Sequence, residues 1–208
     1  MDKKKVLYLV IIAVVILVII FLITFLNTSS SCADGTLPNA CSETRPYFCS
    51  QGRLVGHASV CSCYNSSQIK GETCFSNYQF NQKNITLTYT LNGKEKTINF
   101  AVYKGMYDYL SKLPRYIDSN QNLTLADFKF KMINEEAQKE LLFPLFLRIA
   151  SITSDKEDRA RIAISLVQNI PFGSSDKITK IGSVSVAYQR YPYEVLYDME
   201  GICSEKSE

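Results

Sequence analysis

Tryptophan is absent from the 208-residue sequence, and histidine occurs once, as His57. A single imidazole rules out a histidine-rich metal centre and leaves one candidate for imidazole acid–base chemistry. The seven cysteines contain no C-x2-C pair, so the common zinc-finger spacing is missing. No basic block follows the N-terminal lysines. Lys and Arg number 23 against 20 Asp and Glu, and setting aside Asp2, Lys3, Lys4 and Lys5 leaves 20 against 19. So balanced a remainder excludes nucleic acid as the expected partner. Charged residues make up 21% and hydrophobic ones 46%, which describes neither a disordered chain nor one wholly embedded in lipid.

Charge is also missing from Val6–Leu26, a run of 21 uncharged, mostly apolar residues. As a helix it reaches about 31 Å, close to the ~30 Å hydrocarbon core of a bilayer. Lysines flank it on one side only, and residues 27–31 carry no base. The positive-inside rule therefore predicts a cytoplasmic tail over 1–5, a transmembrane helix over 6–26, and everything beyond it outside the cell. The run exceeds the ~7–15 residues of a signal-peptide core and ends without a small-x-small site, which favours an uncleaved anchor over a cleaved leader. The lipid bilayer is then one expected partner.

Residues 27–80 form a cysteine-rich extracellular module. Cys32, Cys41, Cys49, Cys61, Cys63 and Cys74 crowd this stretch. Outside the cell such cysteines oxidise, and small loop-rich units need the staples. Six cysteines allow 15 pairings, and the sequence does not choose among them, although Cys61 and Cys63 are too close to bond each other. A zinc site with His57 as an added ligand is the weaker alternative, so no metal and no cofactor is expected. Gly35 and Gly52, in the related stretches Cys-Ala-Asp-Gly and Cys-Ser-Gln-Gly, mark tight turns. Asn27, Asn65, Asn84 and Asn122 each open an N-x-Ser/Thr sequon, making them candidate glycosylation sites on the outer surface.

Over 81–208 the pattern is α+β. Residues 85–90 and 96–102 alternate apolar and polar around Asn92-Gly93, a strong hairpin signal. Tyr107, Leu110 and Leu113 suit a short helix stopped by Pro114. Phe128, Phe130 and Met132 alternate with Lys129 and Lys131, which predicts a half-buried strand. From Glu135 the period becomes helical through Ala137, Leu141, Leu145 and Ile149, with Pro144 expected to kink or split the helix. Ser154 to Glu157 fits a capping box ahead of a further helix that Pro171 ends. Residues 172–180 read as a surface loop.

The seventh cysteine, Cys203, stands far from the other six and odd in number, as a free thiol or an intermolecular partner would. Gly201 permits a sharp turn ahead of it. A helix opening near Cys203 would favour its thiolate, the form that acts as a nucleophile. The stretch from Arg190-Tyr-Pro-Tyr-Glu through Gly201-Ile-Cys-Ser-Glu-Lys-Ser resembles the nucleophile segment of transglutaminase-like (papain-like) cysteine proteins, of the archaeal membrane-anchored kind. The resemblance covers residues 85–208, departs from the pattern at Met199-Glu200, and implies the N-terminal part of a transglutaminase-like domain over 81–208. It implies Cys203 as catalytic nucleophile, a thioester formed from an amide, and a protein or peptide substrate for a peptidase or acyl transferase. The family's His and Asp follow the cysteine segment, so the expectation is a truncated domain, inactive by itself. The alternative is a non-catalytic cell-surface binding protein built on the disulfide module.

Overall fold

The computed structural model describes residues 31–64, 67–115, 124–181 and 184–206, together with Ile16. Four antiparallel two-stranded hairpins and seven helices make up this part of the chain. The first two hairpins are β1 (Tyr47–Ser50) with β2 (Arg53–Gly56), and β3 (Ser67–Lys70) with β4 (Thr73–Ser76). A short helix, α1 (Ala58–Cys61), joins them. With so few residues per element, this module is fastened by cross-links: Cys32–Cys49, Cys41–Cys61 and Cys63–Cys74 are all bonded. Gly35 and Gly52 turn the chain at φ of 88° and 75°, where a side chain would be strained.

The main core is built on the long hairpin of β5 (Gln82–Leu91) and β6 (Lys94–Tyr103). Asn92 and Gly93 occupy its turn at φ of 52° and 71°, as a tight hairpin requires. Alternation then sends Ile85, Leu87 and Tyr89 of β5, with Ile98, Phe100 and Val102 of β6, into the core. Two helices follow, α2 (Lys104–Leu110) and α3 (Leu125–Ile133), and Met106, Leu110, Phe128 and Met132 complete this layer. The long α4 (Glu136–Ile152) and α5 (Lys156–Gln168) come next, with α5 lying along β5. After the small hairpin of β7 (Ile178–Ile181) and β8 (Val184–Ala187), α6 (Pro192–Asp198) and α7 (Cys203–Lys206) close the described chain.

Several expectations are corrected. Residues 125–132 are helical, not a strand. Phe128 and Met132, four apart, share the buried face, whereas Phe130 is 63% exposed. The Thr124 side chain accepts from the Asp127 N–H and the Asp127 carboxylate accepts from the Thr124 N–H, and this reciprocal cap starts the helix. Pro144 lies inside α4 without splitting it. The cap of α5 is Asp155, which accepts from the Asp158 N–H at 2.8 Å, one residue later than the sequence suggested. The expected loop over 172–180 gives up its end to β7.

The expected fold class is corrected as well. The described fold is α+β with a disulfide-rich region, but no described helix is long and apolar enough to cross a membrane. The span expected over 6–26 lies outside the described residues, apart from Ile16. The longest described helix, α4, has 17 residues and carries Glu136, Lys139, Glu140 and Arg148. It is amphipathic and buries Ala137, Leu141 and Ile149 against protein. Among the described residues no sheet exceeds two strands.

Candidate functional site

Two buried arginines organise the region that ends at Cys203. Arg115 follows Pro114 directly after α2, and its side chain is 3% exposed. All five of its N–H donors find acceptors. Nε donates to the Gln189 carbonyl, and Nη1 donates to the Leu110 and Leu113 carbonyls. Nη2 donates to the Tyr188 hydroxyl at 2.7 Å and to the Glu194 carboxylate at 2.6 Å. The guanidinium also lies over the Tyr188 and Tyr191 rings, 4.6 and 4.3 Å from their centroids. A buried cation costs several kcal/mol unless it is paired in this way.

Glu194 ties this arginine to α6. Its carboxylate accepts from the Tyr188 hydroxyl at 2.6 Å and from the Tyr191 N–H at 2.8 Å. The second contact caps the helix, with Pro192 as its first residue. Burial, then the hydrogen bond to Glu194, pushes the Tyr188 phenol well above its usual range, so it remains a donor. Tyr191 and Tyr193 are packing aromatics, 4% and 0% exposed, and Tyr193 accepts the Tyr103 N–H at 2.7 Å.

Arg190 organises the turn itself. Its side chain, also 3% exposed, lies 3.3 Å from Asp198 and 2.8 Å from Glu200, and it donates to the Glu200 carbonyl at 2.6 Å. Burial raises the Asp198 carboxyl above its usual range, and the charge of Arg190 opposes that rise. Met199 ends α6 in the left-handed region at φ 57°, and Glu200 turns back onto Arg190. These two residues therefore form the corner ahead of the thiol. Gly201 fits there because a Cβ would come within 3.0 Å of Val195 and 3.2 Å of Lys206. A parallel bridge joins it to Phe172. Glu205 then accepts the Arg190 N–H at 2.8 Å and the Ile202 N–H at 2.9 Å.

Cys203 opens α7, exposed, and is the one cysteine outside the three disulfides. Its neighbours on both sides are fixed while its sulfur faces solvent. His57 is not brought to it. Its Nδ1 lies 3.0 Å from the Glu72 carboxylate and 3.1 Å from the Ser59 hydroxyl, inside the disulfide module. Among the described residues no cluster suits a metal ion. The disulfide candidates are all paired, in 3 of the bridges the sequence left open. Asn84 is exposed on β5 and accepts from Gln82 at 2.8 Å, while Asn27, Asn65 and Asn122 lie outside the described residues.

Arg190, Glu194 and Glu205 stood in the quoted stretch around Cys203 with no role assigned to them, and Arg115 was not singled out. Glu194 had a signal, standing two residues after Pro192 where helix caps occur. Arg115 had none, being 79 residues from its carboxylate. No family model, curated protein or solved structure matches this chain.

Proposed function

We propose that this chain carries the thiol of a transglutaminase-like cysteine protein that acts on polypeptide amides in an oxidising, extracytoplasmic compartment. One observation carries the reading: the single unpaired thiol is exposed on a turn whose backbone is gripped by buried Arg190 and Glu205. Three disulfides support the compartment. The Cys203 thiolate would attack the amide carbon, forming a thioester and releasing the amine. Water or a second amine would then attack the thioester and free the thiol. Proton transfer to the leaving amine needs a general acid. His57 is held by Glu72 in the disulfide module, so the reaction would need a different donor.

Turnover of fluorogenic peptide amides tests this. The 208 residues by themselves are expected to be silent, and turnover is expected once an imidazole base is supplied to Cys203. Cys203→Ser should abolish that activity. Turnover that survives Cys203→Ser, or a disulfide at Cys203, overturns the reading.

A second reading is a non-catalytic surface protein. The disulfide module favours it, because Leu37, Val60 and Ile69 are 69%, 57% and 58% exposed there. Binding to cell envelopes by a Cys203→Ser chain, with no turnover when an imidazole base is supplied to the unaltered chain, would select it.

A further inference from the structure

Three lysines from separate segments converge on one pair of tyrosine rings. Tyr107 of α2 and Tyr197 of α6 lie with ring centroids 4.7 Å apart. Lys83 of β5 stands 5.0 Å from the Tyr197 centroid and donates to the Tyr197 carbonyl at 2.7 Å. Lys104 lies 5.1 Å from the Tyr107 centroid. Lys177, just ahead of β7, is also 5.1 Å from Tyr107 and 5.2 Å from Tyr188, and donates to the Tyr107 hydroxyl at 3.2 Å. Asp108 pairs with Lys104 and is the only carboxylate in ion-pair contact with these lysines among the described residues.

This concentration does not follow from a basic chain. Outside its tail the sequence is nearly balanced. Exposed cation–π contacts return only about 0.5–1 kcal/mol each. Three ammonium groups share two rings, with Asp108 paired to Lys104 and Asp198 within the field of Lys177, and a net attraction for negative charge remains. Two of the ammonium groups lie against Tyr107 and the third against Tyr197. Lysines act as separate point charges rather than bidentate forks. Dispersed single carboxylates suit them.

We infer that this face holds an acidic stretch of polypeptide, its Asp and Glu carboxylates on Lys83, Lys104 and Lys177. That the partner is a polypeptide rests on the peptide-directed function proposed above. The surface also belongs to the thiol's own unit. Tyr197 lies on α6, which leads through the Arg190 turn to Cys203, and the segment carrying Lys177 is joined to that turn by the Phe172–Gly201 bridge.

The test is fluorescence anisotropy of a labelled glutamate-rich decapeptide with the full chain at low salt. Binding is expected, with weakening as salt screens the contacts. The combined variant Lys83→Gln, Lys104→Gln and Lys177→Gln should weaken it about tenfold. Lys94→Gln with Lys96→Gln, exposed beside the hairpin turn, should leave it unchanged. Equal loss in that control overturns the inference, as does tighter binding of an oligonucleotide or a sulfated oligosaccharide of the same charge. Binding is read without turnover. Failure to bind therefore refutes this surface alone, and failure of the turnover test refutes the thiol's role alone.

Discussion

The Glu205 carboxylate reaches Arg190 by two routes: it accepts the Arg190 backbone N–H at 2.8 Å and lies 3.9 Å from the guanidinium. Its other oxygen takes the Ile202 N–H at 2.9 Å. One buried acid thus joins the start of the α6 segment to the residue before Cys203. Cys203 is exposed, but the backbone just ahead of it is hydrogen-bonded to a buried carboxylate.

Glu205→Ala should release this turn. The buried Arg190 N–H loses its acceptor at a cost of about 1–3 kcal/mol, and the half-buried Ile202 N–H loses its acceptor as well. Urea unfolding reads the stability, and hydrogen exchange at Ile202 reads the local opening. Unchanged exchange at Ile202 would show that Glu205 does not hold the turn.

Arg115→Met should cost about 3–5 kcal/mol, because it leaves the Glu194 carboxylate buried without its cation. Removing both charges, as Arg115→Met with Glu194→Leu, should recover part of that loss. Urea midpoints of the two single variants and the double variant give the coupling. Strict additivity would mean the pair is not energetically linked.

Glu140 should make stability fall as pH rises through the weakly acidic range. Burial raises its carboxyl above the usual value, and hydrogen bonding from Ser67 only partly offsets this. A raised folded-state pKa means the folded chain holds this proton more tightly than the unfolded one. The contribution is therefore complete below the ordinary carboxylate value and is lost as pH climbs through the raised one. Glu140→Gln stays neutral and should flatten this part of the pH–stability curve. An unchanged curve would assign the dependence elsewhere.

Thiol titration should count one reactive sulfur in the native chain and seven after reduction and unfolding. Cys203→Ser should bring the native count to zero. Replacing both Cys41 and Cys61 by serine should cost about 2–4 kcal/mol, read by proteolysis within the disulfide module. A native count above one would contradict the three bridges.

The sequence by itself determined what depends on near neighbours. Alternation on either side of Asn92-Gly93 fixed the long hairpin, because turn geometry and side-chain period are both local. Six clustered cysteines and one remote one determined that Cys203 would stand apart. Where two periods fit the same letters, as at Phe128, Phe130 and Met132, local pattern misled, and packing of the residues four apart decided for helix. Which cysteines bond, which arginine meets Glu194, and how three lysines come to share two tyrosines were decided only by the tertiary structure. Those contacts join residues tens of positions apart, and a charge or thiol carries no local mark of the partner that folding will bring to it.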